Sequence, residues 1–328
     1  MSVLMSVVRR RLSALVAVAG LGVLAGCSGV TYAETPLPTT SPSKPSSSAP
    51  AVAAPTCDNA TQSYDPLPSL PSRAAISDAS MRKIIDKGYL TVGISADTYL
   101  FGARNAFTGG IEGFDIDMAR AVAKAIFGDP NKVQLRVITA GDRIPLLKSR
   151  EVDMVARNMS MTCDRWQKIA FSAEYYRSGQ KTLVPLNAKE TSVKQLSGKT
   201  ICAPAGSTSL TNLIKENPAV KPITADSDTG CLVLFQQGKA YGISGDDTVL
   251  AGDAAQDPYA KVLTAERFSE EPYGLGIKKG NVDFVKFVNG VLAQMKSSGA
   301  WMESYNAWLM PDLGKLTTPP PAVYGRTQ

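Results

Sequence analysis

Histidine is absent from the 328-residue sequence. The chain therefore lacks the side chain most often used for acid–base catalysis near neutral pH, which is also a common ligand of zinc. Its five cysteines include no Cys-x-x-Cys pair, and no Gly-x-Ser-x-Gly nucleophile elbow occurs. These absences argue against a metal site and against a serine-hydrolase mechanism. We predict no metal, no cofactor and no enzymatic activity.

Long apolar runs are also missing, apart from one near the start of the chain. Three arginines at positions 9 to 11 precede LSALVAVAGLGVLAG, which is shorter than the roughly 20 residues that a membrane-spanning helix needs. This pattern indicates a secretory signal over residues 1–26. The letters LAGC, ending at Cys27, resemble a bacterial lipobox, which would make Cys27 the lipidated anchor on the outer face of the cell membrane. The alternative is an ordinary signal with an incidental cysteine.

The excess of positive charge belongs largely to this signal. Its removal lowers the formal net charge from +6 to +3, which gives little reason to propose a nucleic-acid partner. The stretch that follows, SGVTYAETPLPTTSPSKPSSSAPAVAAPT, has few large apolar residues and cannot offset chain entropy by burial. We predict that residues 27–75 form an extended tether.

Four cysteines remain after Cys27, and an even set in an exported chain indicates disulfides. Four cysteines allow three pairings. We favour Cys202 with Cys231, because both fall within one predicted domain. Cys57 would then join the start of the folded body to Cys163.

From about residue 76 the pattern becomes globular, and roughly 240 residues exceed the usual size of one domain. A strand (YLTVGIS), a helix with apolar residues at spacing four (GFDIDMARAVAKAIFGDP), a strand (KVQLRVIT), a short helix and the strand VDMVAR follow one another. This βαβαβ order predicts a mainly parallel sheet with helices on its faces.

A second run of the same kind begins after KTLVPL, with strands at TICAPA, KPITA and AYGIS. We predict an α/β fold of two lobes: residues 76–181 plus 275–316, and residues 182–274, joined by two hinge strands. The alternative is two independent domains in series. The tail, residues 317–328, is expected to be disordered or to pack on the first lobe.

Polar residues follow the predicted strands, where open α/β sheets bind ligands. In the first lobe these are Ser95, Asp97, Arg104, Asp142, Arg143, Asn158, Ser160, Thr162 and Arg165. The second lobe offers a helix start at Gly206-Ser-Thr-Ser, which attracts anions, and then Asp246 and Asp247. Guanidinium groups suit a carboxylate and an aspartate suits an ammonium group. The set therefore predicts a site for one α-amino acid between the lobes.

Several of these residues have simpler interpretations. Ser207 could only cap its helix, and Arg143 could be a solvated residue at a helix start. Asp247 is expected in a turn or cap. Asp115 and Asp117 are expected in a first helical turn, facing solvent.

Five stretches, in order along the chain, carry a resemblance to a known family: GFDIDMARAVA, RIPLLKSREVDMV, MTCDRWQKIAFSAEYYRSG, GKTICAPAGSTS and CLVLFQQGKAYGISGDD. They resemble bacterial extracellular solute-binding proteins of the polar-amino-acid ABC-importer family, and most closely its glutamine/glutamate-binding lipoproteins of the GlnH type. The resemblance spans residues 76 to about 312. It implies a type II periplasmic-binding-protein, or venus-flytrap, fold with a two-strand hinge.

The resemblance also implies roles for individual residues. Arg165 would bind the ligand's α-carboxylate with Asn158 and Ser160 beside it, Thr208 would assist from the second lobe, and Asp246 would accept from the ammonium group. Arg143, or less directly Arg104, would reach a side-chain carboxylate. The chain departs from the family's glutamine binders at Ala140, where they tend to carry an aromatic residue, and at Asn158, where glycine is usual.

These departures and the extra arginines lead us to expect glutamate and aspartate as preferred ligands, with glutamine and asparagine binding more weakly. The expected protein is a monomer that delivers its ligand to a membrane ABC permease. One alternative is an amino-acid sensor that reports to a membrane receptor. The other is an enzyme on the same fold, for which Glu112 is the nearest candidate acid.

Overall fold

A computed structural model describes residues 56–265 and 267–327. The predicted signal, Cys27 and most of the predicted tether lie outside these residues. Within them, no helix combines the length and apolar character needed to cross a membrane.

Strands and helices alternate through most of the chain. The strands are β1 (Leu90–Ile94), β2 (Asp97–Thr98), β3 (Gly102–Arg104), β4 (Ile111–Glu112), β5 (Val133–Val137), β6 (Met154–Ala156), β7 (Ile169–Phe171), β8 (Tyr176–Pro185), β9 (Thr200–Pro204), β10 (Lys221–Ala225), β11 (Gly242–Asp246), β12 (Ala260–Val262), β13 (Glu270–Tyr273) and β14 (Gly276–Lys278). The α-helices are α1 (Ala79–Lys87), α2 (Phe114–Phe127), α3 (Arg143–Ser149), α4 (Cys163–Lys168), α5 (Thr208–Glu216), α6 (Asp228–Gln236), α7 (Asp247–Gln256), α8 (Val282–Ser298), α9 (Ala300–Trp308) and α10 (Met310–Leu313).

The first lobe is built on a five-stranded sheet in the order β5-β1-β6-β14-β7. Strand β1 is apolar and buried along its length, and it pairs in parallel with β5 and β6 on either side. Helix α2 buries one face at spacing four and ends at Gly128, whose φ of 77° suits glycine. The predicted βαβαβ unit is confirmed.

The second lobe is built on a sheet in the order β10-β9-β11-β8-β12. Strands β10, β9 and β11 run parallel to one another. Strand β8 pairs antiparallel with β11, and β12 pairs antiparallel with β8. Apolar clusters lie on both faces of this sheet, because adjacent residues such as Leu183 and Val184 belong to different clusters. The two-lobed α/β class predicted from the sequence is confirmed.

Two antiparallel strands connect the lobes. Residues 176–179 of β8 pair with β13, and the following residues of β8 pair with β11 in the second sheet. After β13 the chain returns to the first sheet as β14, and helices α8 and α9 then pack against α2. This path joins the lobes through two strands, as the sequence predicts; the numbered lobe boundaries stay a proposal.

An aromatic cluster extends from the first lobe into the hinge. Phe101, Phe114 and Trp301 contact one another or the hinge tyrosines Tyr176 and Tyr273, with ring centroids 5.4 to 6.2 Å apart. In edge-on or tilted geometry each such contact adds about 0.5–1.5 kcal/mol beyond area burial. The hinge strands are therefore anchored firmly in the first lobe.

Both favoured disulfides, Cys57–Cys163 and Cys202–Cys231, are present. The first joins the start of the body to α4, and the second joins β9 to α6. The tail packs on the first lobe, since Val323 forms a bridge with Gln62 and the Arg326 guanidinium lies 3.7 Å from the Trp166 ring centroid.

Candidate functional site

A small cavity lies where strand ends of the two sheets face each other. Its volume is about 10 Å³, close to the space that one water molecule occupies. An amino acid is larger, so its entry requires the lobes to separate. The lining residues are Ala140, Arg143, Arg157, Asn158, Pro204, Ser207, Thr208, Ser209, Asp228 and Asp246.

Arg143 begins α3 and is buried, not solvated. Its Nε donates to Ala140 O at 2.8 Å, Nη1 to Arg157 O at 3.2 Å and Nη2 to Gly206 O at 3.4 Å. Burial lowers its pKa well below the usual value, and repulsion from Arg165 adds to this. The guanidinium is thus held by main-chain carbonyls from both lobes.

Two further arginines complete an arginine cluster, which we define as Arg143, Arg157 and Arg165. Arg157 Nε donates to Ile138 O at 3.1 Å, and Arg165 Nη1 donates to Ser160 O at 2.8 Å. Both are buried. None of the three belongs to an ion pair formed among the described residues. Buried cations without anionic partners are costly, so the cluster favours an anion.

Asp246 is the last residue of β11 and is buried opposite this cluster. Its Oδ2 accepts from the Tyr273 hydroxyl at 2.5 Å, but its Oδ1 is buried with no hydrogen-bond partner in the described part of the chain. Burial, followed by repulsion from Glu271, raises the pKa of Asp246 well above its usual range. A cationic donor at Oδ1 would relieve both penalties.

Asn158 presents a second acceptor of this kind. Its Oδ1 is also buried and, within residues 56–265 and 267–327, has no partner. Its φ of 34° lies in the left-handed region, which explains why glycine is usual here and why asparagine can replace it. Asn158 and Asp246, which both line the cavity, therefore each carry one unused acceptor atom of the kind that an ammonium group needs.

Asp115 contacts the main chain of Asn158. The prediction that Asp115 faces solvent was wrong. The carboxylate is buried, and it accepts from Asn158 N at 2.8 Å and from the Tyr175 hydroxyl at 2.5 Å. Burial raises its pKa to about 6. Asp117 does not simply face solvent either, because it accepts from Ser304 Oγ and Trp308 Nε1. Helix α9 thus covers the Asp117 side of α2, whereas Asp115 faces Tyr175 and Asn158.

Hydroxyl groups bridge the gap between the lobes. Ser160 Oγ lies 3.2 Å from Thr208 Oγ1, which donates to Glu271 Oε2 at 2.9 Å. Ser207 caps α5 by accepting from Leu210 N at 3.1 Å, as the simpler interpretation predicts. Asp247, expected in a turn or cap, is the first residue of α7.

Of the predicted ligand-binding residues, Ser160 and Arg165 lie beside the cavity without lining it, and Arg104 lies elsewhere. It is exposed on β3, where its Nη1 donates to Gly109 O at 2.6 Å, and it lines a different cavity beside Phe107 and Trp308. The three short strands β2, β3 and β4 form a separate sheet, which carries Arg104 away from the strand ends. We leave it out of the site.

Three charged residues near the site were not predicted. Arg157 directly follows VDMVA, so its place at the strand end was a usable signal. Asp228 begins α6, just after β10, and Glu271 lies on the hinge strand β13. Glu271 is buried and accepts from Thr208, Asn212 and Ser269. Only the long-range pairing of β13 with β8 brings it here.

Comparisons with known proteins agree with this arrangement. A family model described as "Bacterial extracellular solute-binding proteins, family 3" matches residues 90–311. The "ABC transporter glutamine-binding protein GlnH" of Bacillus subtilis (strain 168) is 34% identical over 234 residues, which cover 71% of this chain and 85% of that protein. The "Glutamine-binding protein" of Geobacillus stearothermophilus is 38% identical over 208 residues, 63% of this chain and 79% of that protein.

A solved structure shares the fold. The solute receptor for L-cysteine of Neisseria gonorrhoeae superposes with a TM-score of 0.69 at 28% identity, over 72% of this chain and 96% of that one.

Proposed function

The chain belongs to the bacterial extracellular solute-binding proteins of family 3, and on that premise we propose that it captures a free polar amino acid between its lobes, an acidic one most tightly. One observation carries the proposal. Asn158 and Asp246 line one cavity, and each has a buried Oδ1 atom without a partner in the described part of the chain. The buried arginines on the same cavity form no ion pair within residues 56–265 and 267–327. An α-amino acid supplies the missing donor and the missing anion in one molecule.

The backbone of the ligand would be held by groups from both lobes. Its ammonium group would donate to Asp246 and Asn158, and its α-carboxylate would accept from Arg165, with the Ser160 and Thr208 hydroxyls between them. Charge-assisted hydrogen bonds contribute about 1.5–3 kcal/mol each, so three or four of them approach the roughly 8 kcal/mol of micromolar binding.

The remaining arginines support the acidic preference. Arg143 and Arg157 are cations beyond those that one α-carboxylate needs, and a second carboxylate on the ligand would neutralise them. An amide leaves such a cation without its anion, so glutamine and asparagine would bind more weakly. Two relatives are named for glutamine, which makes the order of affinities the first quantity to measure.

The proposed physiological role is delivery of the amino acid to a membrane ABC permease by a monomer anchored through lipidated Cys27. The alternative is a sensor whose closed form reports amino-acid supply to a membrane receptor. Both roles use ligand-driven closure. Loss of glutamate uptake in a deletion strain supports delivery, whereas intact uptake with altered signalling supports the sensor.

Glu112, the acid named for the enzyme hypothesis, lies outside the proposed site. Glu112 accepts from Asn105 Nδ2 at 2.7 Å and lines the separate cavity that contains Arg104. It therefore lies with the short three-stranded sheet, away from the proposed ligand.

Calorimetry of the full, oxidised chain with glutamate, aspartate, glutamine and asparagine tests the proposal. We expect the two acids to bind most tightly and Arg165→Ala to lose all four ligands. Arg82→Ala, an exposed change on α1, is the matched control and should bind normally. Absence of heat with every amino acid would contradict the function, and equal or tighter binding of glutamine would contradict the order.

A further inference from the structure

Asp228 is a second carboxylate that the second lobe places on the cavity. It is the first residue of α6, behind the capping residue Ser227, and it is buried. It lines the cavity together with Arg143 and Arg157 of the first lobe. Asp246 already supplies the acceptor that one ammonium group needs. Asp228 therefore requires another explanation.

Charged groups on several neighbouring elements lie near Asp228. Arg143 on α3 and Arg157 after β6 attract it, whereas Asp97 on β2 repels it, and Asp253 on α7 and Asp246 on β11 interact with it as like charges. Burial is the largest cause of a raised pKa at Asp228, Asp97 adds to the increase, and the two arginines oppose it.

The interactions of Asp228 with Arg143, Arg157 and Asp97 cross from the second lobe to the first. Thr229 Oγ1 on α6 donates to Asp97 O at 2.6 Å, which joins the second lobe to β2 of the first. Asp253 is buried, and its Oδ2 has no partner in the part of the chain that the structure describes. Closure therefore brings carboxylates together beside the arginines.

We propose that Asp228 is a specificity-determining residue that sets the choice between a carboxylate and an amide at the end of the ligand's side chain. The inference rests on the proposed function. A side-chain carboxylate can only accept hydrogen bonds, and an amide both donates and accepts. Arg143 and Arg157 can donate to one side-chain oxygen of either ligand. Asp228, on the opposite side, then contacts the second atom, which is an oxygen in a carboxylate and an NH₂ group in an amide.

The protonation of Asp228 changes what that contact accepts. Neutral Asp228 donates its O–H to a ligand carboxylate, whereas ionised Asp228 repels that carboxylate and accepts from an amide NH₂ group. Glutamate should therefore bind with uptake of up to one proton at Asp228, the fraction rising with pH, and glutamine without it. Selectivity for the acid should fall as the pH rises through the titration of Asp228.

Calorimetry of the full chain from about pH 5.5 to about pH 8, in two buffers of different ionisation enthalpy, measures both quantities. We expect the ratio of glutamine to glutamate Kd to fall about tenfold over this range, with on average about 0.4 more proton taken up per glutamate than per glutamine. Any effect of Asp246 titration cancels in the ratio of the two dissociation constants, because both ligands carry the same ammonium group.

In Asp228→Asn the ratio should become independent of pH and the extra proton uptake should disappear, while glutamine binding stays within a few-fold. Asp226→Asn, an exposed neighbour in the same lobe, is the control and should behave as the unmodified chain. Asp253→Asn should also retain the extra proton uptake.

Each contrary outcome has a separate meaning. Binding of no amino acid by the unmodified chain overturns the proposed function itself. Unchanged pH dependence in Asp228→Asn, or loss of proton uptake in Asp253→Asn alone, overturns only the role of Asp228. Were Asp228→Asn not to fold, equal proton uptake for glutamate and glutamine in the unmodified chain would still overturn it.

Discussion

The two lobes bury charge on their facing surfaces in different ways. In the first lobe, the arginine cluster donates to main-chain carbonyls, and those bonds fix the guanidinium groups before any ligand arrives. In the second lobe, Asp246 makes one hydrogen bond with Tyr273 and keeps one oxygen without a partner among the described residues. Main-chain carbonyls therefore fix the positions of the arginines, whereas Asp246 lacks a partner for one of its oxygens among the described residues.

This difference indicates a division of labour between the lobes. A cation held by several carbonyls is preorganised and loses little freedom on binding an anion. A buried carboxylate with an unused acceptor gains most when a cation arrives, because the ligand relieves a desolvation penalty that already exists. Asp246 of the second lobe should therefore contribute strongly to the affinity for every ligand. The choice of side chain should depend on Arg143 and Arg157 of the first lobe, with Asp228 opposite them.

The largest expected effect is the loss of affinity in Asp246→Asn. The change keeps the shape but removes the charge that the ammonium group needs, so affinity for every amino acid should fall more than about a hundredfold, or about 3 kcal/mol. Calorimetry measures this loss.

Thermal unfolding without ligand is the companion measurement, and Asp226→Asn is the control for both. Because burial raises the pKa of Asp246, neutralising it should not lower the midpoint. A lower unfolding midpoint with normal affinity would contradict the role in ligand affinity that is proposed for Asp246.

Asp115→Asn tests the raised pKa of the buried carboxyl group that contacts Asn158 in the first lobe. The folded-state pKa of about 6 exceeds the ordinary 3.8, so the protonated form is favoured on folding. The resulting stability is fully present below about pH 3.8 and is lost as the pH rises through about 6. Asparagine does not titrate. The stability of the unmodified chain relative to Asp115→Asn should therefore fall by about 2–3 kcal/mol between about pH 4 and about pH 7.

Urea unfolding at several pH values measures this difference. Asp86→Asn, whose side chain is 67% exposed, is the control. If the unmodified and Asp115→Asn stabilities ran parallel across the range, the raised pKa would be contradicted.

Arg143→Met should separate selectivity from affinity. It removes a guanidinium but keeps an unbranched side chain, so glutamate affinity should fall about tenfold more than glutamine affinity. The ratio of the two dissociation constants is the measurement, because general damage to the fold would weaken both ligands alike. Arg143→Lys keeps a charge and should lose less. An unchanged ratio in Arg143→Met would assign the side-chain contact to another residue.

The sequence predicts the parts of this comparison that depend on local pattern. Strand ends can be found from alternating apolar residues, and the residues after them include Arg143, Asn158, Ser160, Arg165 and Asp246. All of these lie at or beside the cavity. The two disulfides followed from assigning each pair of cysteines to its place in the domain order.

What escaped prediction depends on contacts between distant segments. Glu271 reaches the site because β13 pairs with β8. Asp115 is buried because Tyr175 and the Asn158 main chain, both from later in the chain, contact it. Arg104 points away because β2, β3 and β4 form their own small sheet. No periodicity in one segment reports such pairings, and an aspartate in a first helical turn has the same local pattern whether it is exposed or covered.

The smallest expected effect is that of Thr208→Val, which tests whether the Thr208 hydroxyl affects ligand affinity alone or also the choice of side chain. Thr208 Oγ1 lies between Ser160 of the first lobe and Glu271 of the hinge. Losing a hydroxyl that contacts both should cost about 1 kcal/mol, a roughly fivefold weakening, and should do so equally for glutamate and glutamine. Calorimetry with both ligands measures it. A change in their ratio would instead place Thr208 with the residues that select the side chain, and selection would then not belong to the first lobe and Asp228 alone.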